Sequence, residues 1–239
     1  MNYYPIFLRV AGRSCLVVGG GRVAEQKVES LLSAGARVTV LSPRLTPRLQ
    51  ALAVANRITH VERTYTEGDL AGYLLACAAT DDNGLHARIA AEAETAGVLL
   101  NVVDRPQLCH FITPSVVERG DLMIATSTNG ASPAMAKRIR RELEESFGPE
   151  YELALTLLRR VRESLHPGAC SRTERLRIFN ALVDSPLLDY LRHGRQHDID
   201  ALLASTIGAG VSLASLGIEL PPARRKAIGD TLDPGYGGD

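Results

Sequence analysis

The sequence lacks several features that would assign the protein to a particular class. It has 27 Lys and Arg against 27 Asp and Glu, so no excess of positive charge favours a nucleic-acid partner. Its four cysteines include no C-x-x-C pair, which argues against a structural zinc site, and we predict no metal ligands. No basic start precedes an apolar core, and no apolar run is long enough to span a bilayer. These absences predict a reduced, cytoplasmic protein.

A glycine-rich turn between two apolar runs, 15–18 and 38–41, is the most informative segment. Its spacing, Gly19-x-Gly21-x-x-Ala24, is that of the dinucleotide-binding fingerprint. Gly19 permits the tight turn, Gly21 lets the backbone approach a pyrophosphate, and Ala24 lets the following helix pack close to the strand. The pyrophosphate would lie at the exposed N–H groups of the helix N-terminus. The segment therefore predicts a nucleotide site, although glycine turns also connect strands to helices for structural reasons alone.

The acidic residue that usually binds the ribose hydroxyls after the second strand is missing. Ser42, Pro43 and Arg44 follow the apolar run there. Arg44 is compatible with a 2′-phosphate, and so with NADP, but also with a simple solvated position. The residues alone leave the choice between NAD and NADP open.

Strand-like and helix-like segments alternate over roughly the first 113 residues. Apolar runs at 74–79 and 98–103 predict buried strands, and apolar spacing predicts helices at 45–55 and 85–96. This alternation favours a doubly wound parallel sheet. Further predicted elements are an extended run at 4–10 that could add a strand, a strand at 58–61 and a short helix at 69–73.

The pattern changes after residue 111. Two antiparallel strands are predicted at 115–119 and 122–127, with a turn between them. A long helix follows at 134–146. Further helices are predicted at 151–165, 172–182, 186–192 and 199–204, and residues 208–239 are predicted to be loop-like and partly disordered.

A carboxylate follows the predicted strand at 98–103, in the run from Asn101 to Asp104. At the carboxyl end of a strand in the same sheet as the glycine turn, Asp104 can face both a nicotinamide ring and a substrate. The alternative, equally supported by the spacing, is a loop carboxylate that caps the next turn. The pair Asp81-Asp82 is a second candidate, although such a pair more typically caps the helix that follows.

A flexible, hydroxyl-rich turn at 127–133 leads into a basic helix, and a helix N-terminus of this kind favours anions. The cations of that helix would suit a ligand with several carboxylates, although a charged run is usually a solvated face. They are Lys137, Arg138, Arg140 and Arg141. His110, beside Cys109, is more readily explained by hydrogen bonding than by metal binding.

Six segments occur in an order that makes the chain recognisable. They are Pro5-Ile6-Phe7, the run from Val17 to Lys27, Ala78-Ala79-Thr80-Asp81-Asp82, Asn101-Val102-Val103-Asp104, Phe111-Ile112-x-Pro114-Ser115 and Gly130-x-Ser132-Pro133. Together they resemble the precorrin-2 dehydrogenase and sirohydrochlorin ferrochelatase family, which includes the N-terminal half of sirohaem synthase. The resemblance covers about residues 2–204.

The resemblance implies a homodimer in which each chain has three domains. These would be an NAD-binding Rossmann domain at 1–113, a small α+β dimerisation region at 114–148 and a helical domain at 149–205, with a partly disordered tail at 206–239. The implied activity is the NAD-dependent oxidation of precorrin-2 to sirohydrochlorin, followed in some members by insertion of ferrous iron to give sirohaem. A different class, an NAD(H)-sensing regulatory module without turnover, remains the alternative.

The resemblance also implies roles for individual residues. Asp104 would be the catalytic proton acceptor. The expected cofactor contacts are Gly19, Gly21, Arg22, Val23, Ala24, Pro43, Arg44 and Thr80. The expected contacts with the polycarboxylate substrate are Asn101, Ser127, Thr128, Ser132, Lys137 and Arg138.

Overall fold

The computed structural model describes residues 3–165 and 170–221, which form two compact units. The first unit comprises the chain up to residue 114 together with 128–133, and the second comprises 115–127 and the residues from 134 onwards. Among the described residues, no helix has both the length and the apolar character needed to cross a membrane. Residues 222–239 of the predicted tail lie outside the described part of the chain.

The first unit is built on a five-stranded parallel sheet with the order β3-β2-β1-β4-β5. This order confirms the predicted Rossmann-type doubly wound fold. The strands are β1 (Ser14–Val18), β2 (Arg37–Leu41), β3 (Thr59–Val61), β4 (Leu75–Ala78) and β5 (Leu99–Val102), and the helices are α1 (Arg22–Ser33), α2 (Pro47–Val54) and α3 (Asn83–Ala96).

Strand β1 is apolar at consecutive positions because both faces of the sheet are covered. Val17 packs in one buried cluster, which includes Val28 of α1 and Leu49 of α2. Its neighbour Leu16 points to the opposite face and packs in a second cluster, which includes Ile89 of α3. Side chains alternate between faces along a strand, so only an uninterrupted apolar run can fill both layers.

Two local predictions for this unit are wrong. The segment at 69–73 forms turns instead of a helix, because Gly68 and Gly72 adopt φ values of 98° and 84°, which a right-handed helix excludes. The Asp69 carboxylate also accepts the Thr66 N–H at 2.7 Å and so closes a local turn. The segment at 4–10 is not part of any strand that the described residues form.

The second unit combines a β-hairpin with a helical core. Strands β6 (Ser115–Arg119) and β7 (Leu122–Thr126) pair antiparallel, as predicted, and Gly120 between them has φ +57°. The helices are α4 (Pro133–Ser146), α5 (Glu150–Ser164), α6 (Arg172–Val183), α7 (Leu187–Arg192) and α8 (Gln196–Thr206). After α8, Leu213 and Ile218 are buried in the helical core, so this described part of the predicted tail is packed.

Candidate functional site

A cleft of about 370 Å³ opens above the glycine turn, at the carboxyl ends of β1 and β4. This is the edge at which open α/β sheets bind their ligands. Its lining residues are Gly19, Gly20, Gly21, Arg22, Val23, Ser42, Ala79, Thr80 and Asp81. Five of the predicted cofactor contacts therefore lie together, and Gly20, Ser42, Ala79 and Asp81 join them although the fingerprint spacing gave no reason to select them.

The three glycines of the turn are required for different reasons. A Cβ at Gly19, which has φ +121°, would lie 2.2 Å from the Ala79 carbonyl oxygen. A Cβ at Gly20 would lie 1.9 Å from the carbonyl oxygen of Arg44. A Cβ at Gly21 would have no atom of the described residues within 4 Å. Packing within the chain therefore explains the first two glycines, whereas the third leaves open space on the cleft side of the turn.

Helix α1 presents free N–H groups to this space. Gly21 is its N-cap, and no side chain in the described part of the chain caps the helix. Its first-turn amides therefore keep their hydrogen-bonding capacity, and the positive end of the helix dipole lies there. Ala24 does not line the cleft; it is fully buried in the core cluster of β1 and α1. Its small side chain allows the close approach of helix and strand, and that approach places the helix end above the sheet.

The loop after β2 forms the next wall of the cleft. Ser42 is only 8% exposed, and its hydroxyl donates to the Arg44 carbonyl oxygen at 2.8 Å. The Thr46 N–H then donates to the Gly20 carbonyl oxygen at 3.0 Å, which ties this loop to the glycine turn. Pro43 and Arg44 are exposed beside Ser42 and do not themselves line the cleft. The burial of Ser42 depends on these contacts, so the sequence alone did not identify this residue as part of the cleft.

Two carboxylates follow β4, and the structure separates their roles. Asp82 is the N-cap of α3, and its Oδ1 accepts the Leu85 N–H at 3.0 Å. Asp81 is exposed and lines the cleft. Thr80, also in the lining, lies 3.1 Å through Oγ1 from Nε2 of the buried His86. The capping interpretation of the acidic pair therefore holds for its second member.

Asp104 lies two residues beyond β5, at the same edge of the sheet as the glycine turn. The register pairs Val18 with Ala78 and Ala78 with Val102, so the chain leaves all three strands at one level. Asp104 has φ +57° and an exposed side chain. Left-handed backbone costs about 1–2 kcal/mol for most residues but less for Asp and Asn. Asp104 is not a lining residue of the cleft; it stands two strands away from the glycine turn, about 10 Å at ordinary strand spacing.

Other polar residues near the end of β5 have partners within the chain. Asn101 is 7% exposed, and its Nδ2 donates to the Phe111 carbonyl oxygen at 3.1 Å. His110 lies 3.0 Å through Nε2 from Glu94 Oε1, and its Nδ1 contacts the backbone at Val98 and Leu100. Asn101 is therefore buried in β5, where its amide anchors the loop that contains Phe111.

The predicted substrate-binding residues are distributed over the two units. In the first unit, the Thr128 hydroxyl donates to the Ser132 carbonyl oxygen at 3.0 Å and accepts the Ser132 N–H at 3.2 Å, which closes the turn before α4. Ser127, Lys137 and Arg138 belong to the second unit. Lys137 is exposed, and Arg138 donates to Glu142 at 2.8 Å.

The fold and the uncapped helix above a glycine turn define a dinucleotide-binding Rossmann domain. Comparison with known proteins agrees: residues 6–115 match a family model described as "Putative NAD(P)-binding", and residues 119–146 match one described as "Sirohaem biosynthesis protein central". The first of these matches covers about nine-tenths of the first unit and includes the whole cleft lining.

Relatives extend the similarity to most of the chain. It is 34% identical to a siroheme synthase from Thioalkalivibrio sulfidiphilus over 92% of its own length and 45% of the relative's. It is 36% identical to one from Methylococcus capsulatus over 87% of its length and 44% of the relative's. The chain thus spans about half the length of the curated relatives that it matches. A solved structure entitled "SirC, precorrin-2 dehydrogenase" has the same fold, with a TM-score of 0.69 and 24% identity over 85% of this chain and 98% of that one.

These comparisons agree with the resemblance to the precorrin-2 dehydrogenase and sirohydrochlorin ferrochelatase family that the sequence motifs indicated.

Proposed function

We propose that the protein oxidises precorrin-2 to sirohydrochlorin with NAD as the hydride acceptor. The observation that carries this proposal is the position of Asp104: an exposed carboxylate on left-handed backbone, at the same sheet edge as the dinucleotide cleft. The family resemblance and the similarity to siroheme synthases support the choice of substrate.

The residues of the cleft fit a dinucleotide. The open space at Gly21 and the uncapped N–H groups of α1 suit a pyrophosphate, while Gly19 and Gly20 fix the turn that presents them. Bound NAD would supply a nicotinamide ring able to accept a hydride. The chain's own contribution is to hold the dinucleotide along the sheet edge that ends at Asp104.

Asp104 is proposed to accept the proton that leaves the macrocycle. The oxidation removes a hydride and a proton, so a base must stand beside the carbon or nitrogen that loses the proton. Among the described residues, Asp104 has no hydrogen bond or ion pair that would occupy its carboxylate. Arg105 and Asn83 beside it hold the loop, with Arg105 Nη2 donating to Asn83 Oδ1 at 2.6 Å.

We propose that the carboxylates of the tetrapyrrole bind to Lys137, Arg138 and the hydroxyls of Ser127, Thr128 and Ser132. A cation with an exposed side chain pairs readily with a carboxylate. Lys137 is the stronger of the two cations for this role, because Glu142 already neutralises Arg138. Asn101 would act indirectly, by anchoring the loop that follows Asp104.

The proposal is tested by incubating the purified protein with precorrin-2 and NAD. NADH and the sirohydrochlorin spectrum should appear together, in equal amounts, and neither should form when NAD is omitted. The alternative, an NAD(H)-sensing module, predicts that NADH binds tightly while no tetrapyrrole is oxidised. That result would exclude the dehydrogenase.

Iron insertion is proposed as a second step on the same macrocycle. Within residues 3–165 and 170–221, no group of three or more His, Cys, Asp and Glu side chains could hold a metal ion, so the macrocycle nitrogens would have to provide most of the ligands for ferrous iron. The test compares the rate of iron insertion into sirohydrochlorin with and without protein. Equal rates would exclude the chelatase activity.

We further propose a cytoplasmic homodimer in which residues 114–148 form the dimerisation region between the Rossmann domain and the helical domain. A two-stranded sheet is marginally stable in water, and Met123 of β7 is 48% exposed, so a partner surface would stabilise the hairpin. Light scattering should give twice the chain mass, and Met123→Asp should lower the measured mass toward that of one chain. A monomer at micromolar concentration would exclude the dimer.

A further inference from the structure

A buried histidine directly beneath the cleft has no role in the function proposed above. His86 lies in the first turns of α3 and is only 4% exposed. Its Nε2 is 3.1 Å from Thr80 Oγ1, and its Nδ1 has no hydrogen-bond partner among the described residues. Within residues 3–165 and 170–221, Thr80 is therefore the single polar group that contacts the ring nitrogens of His86.

The missing partner at Nδ1 indicates which nitrogen carries the proton. A neutral imidazole has one N–H and one acceptor nitrogen. If the proton were on Nδ1, a buried donor would be left unpaired, which proteins tolerate less often than an unpaired acceptor. The favoured tautomer therefore carries the proton on Nε2 and donates it to Thr80 Oγ1.

That hydrogen bond determines what the threonine hydroxyl can do. When Oγ1 accepts the His86 N–H, its own proton is left for another acceptor, and the described residues provide none. Thr80 lines the cleft beside Gly19 and Asp81, so an acceptor within the cleft is the remaining partner. An oxygen of a bound dinucleotide, on a phosphate, a ribose or the carboxamide, has the required chemistry.

We propose that His86 is a positioning residue that orients the Thr80 hydroxyl as a hydrogen-bond donor to the bound dinucleotide. This inference rests on the proposed nucleotide site and assigns to it a residue that does not touch the ligand. His86 acts through Thr80. Removing His86 and removing the Thr80 hydroxyl should therefore abolish one and the same hydrogen bond to the dinucleotide, so their effects on affinity should not add.

The experiment is a double-mutant cycle on NADH affinity in the full chain. Thr80→Val removes the hydroxyl, and His86→Phe keeps an aromatic ring of similar size without a donor. Each variant should raise the Kd for NADH about threefold to tenfold, the usual range for one lost hydrogen bond. The double variant should bind no more weakly than the weaker single variant, and His86→Gln, whose amide can donate, should bind within about twofold of the original protein.

The outcomes separate this inference from the proposed function. If the original protein fails to bind NADH, the nucleotide site itself is refuted, and His86 loses its role with it. If NADH binds and the double variant loses affinity by the product of the two single-variant factors, His86 does not act through Thr80. The same conclusion follows if folded His86→Phe binds NADH as tightly as the original protein. Should His86→Phe fail to fold, the imidazole ¹⁵N shifts of the unmodified protein decide, because a proton on Nδ1 contradicts the proposal.

Discussion

Arg105 Nη2 donates to Asn83 Oδ1 at 2.6 Å, and this hydrogen bond joins the loop after β5 to the first residue of α3. Asp104 immediately precedes Arg105, so the bond anchors the proposed catalytic carboxylate to a helix that is itself capped by Asp82. The backbone at Asp104 is left-handed, with φ +57°. The bond fixes the residue that follows Asp104 and so restricts the loop that carries the carboxylate.

Arg105→Met should therefore slow turnover without weakening cofactor binding. The substitution keeps an unbranched side chain but removes the donor, so the Asp104 loop gains freedom. We expect kcat for precorrin-2 oxidation to fall about threefold to tenfold while the Kd for NADH stays within about twofold, as for the loss of one hydrogen bond. Asn83→Asp is the matched control, because a carboxylate accepts the same bond from arginine. Equal loss of kcat and NADH affinity would contradict this role.

Asp104→Asn should remove the proton-accepting carboxylate of Asp104 without disturbing its left-handed backbone conformation. Asparagine adopts left-handed φ as readily as aspartate, so the thermal unfolding midpoint should not change. The side chain can no longer accept a proton, so kcat should fall about 10²- to 10⁴-fold, the usual contribution of a general base. Asp104→Ala should lose the same activity and also about 1 kcal/mol of unfolding free energy. Normal turnover by the asparagine variant would exclude Asp104 as the base.

The Rossmann sheet was predictable because its signals are local. The continuous apolar run of β1 and the Gly19-x-Gly21-x-x-Ala24 spacing specify a buried strand, a tight turn and a closely packed helix within a few residues of one another. The prediction of a helix at 69–73 was wrong because Gly68 and Gly72 have positive φ, which a right-handed helix excludes.

The composition of the site was less predictable because it depends on tertiary contacts. Thr80 and His86 are joined across a turn and a helix start, and Ser42 is buried by its bond to Arg44. The resemblance assigned Asn101 to substrate binding, yet its amide donates to the Phe111 carbonyl oxygen on the returning loop. None of these pairings has a characteristic sequence spacing.

The adjacent glycines of the turn should respond differently to substitution. In Gly20→Ala the new Cβ would lie 1.9 Å from the Arg44 carbonyl oxygen, so the loop after β2 must move; we expect a loss of about 2–4 kcal/mol in the unfolding free energy. In Gly21→Ala the Cβ has no described atom within 4 Å, so stability should change by less than about 0.5 kcal/mol.

Gly21→Ala is expected to weaken dinucleotide binding and not to destabilise the fold. A methyl group between the α1 amides and the pyrophosphate should raise the Kd for NADH at least about tenfold, as expected for a position where the backbone approaches the phosphates. Denaturant unfolding and NADH titration on the two variants test the contrast. A Gly21→Ala protein that binds NADH normally would show that the pyrophosphate lies elsewhere.

Arg44 should control the discrimination between NAD and NADP. It is exposed two residues after the cleft residue Ser42, at the place where NAD-binding domains usually carry an acid. Arg44→Glu would supply a carboxylate for the ribose hydroxyls and would repel a 2′-phosphate. We expect the ratio of the Kd for NADPH to that for NADH to rise at least about tenfold, with the neutral Arg44→Gln in between. An unchanged ratio would place the 2′ position away from this loop.

Cys77 should make the protein less stable at high pH. Burial in β4, where the residue is 4% exposed, raises the pKa of its thiol from the ordinary 9.0 to about 11. Between these values the unfolded chain carries a thiolate while the folded chain keeps its proton, so the unfolded state binds fewer protons. The unfolding free energy therefore falls as pH rises from about 9, and the loss is complete near 11.

Two pKa units correspond to roughly 3 kcal/mol, enough for a denaturant titration at a series of pH values to detect. Tyrosines and lysines titrate in the same range, so the measurement needs Cys77→Val, an apolar residue of similar size that suits a buried strand. The variant should show a shallower decline above pH 9 than the original protein. Identical slopes would mean that the thiol ionises with its ordinary pKa, which a side chain packed in the cluster of Val17 and Val28 could do only if water entered that core.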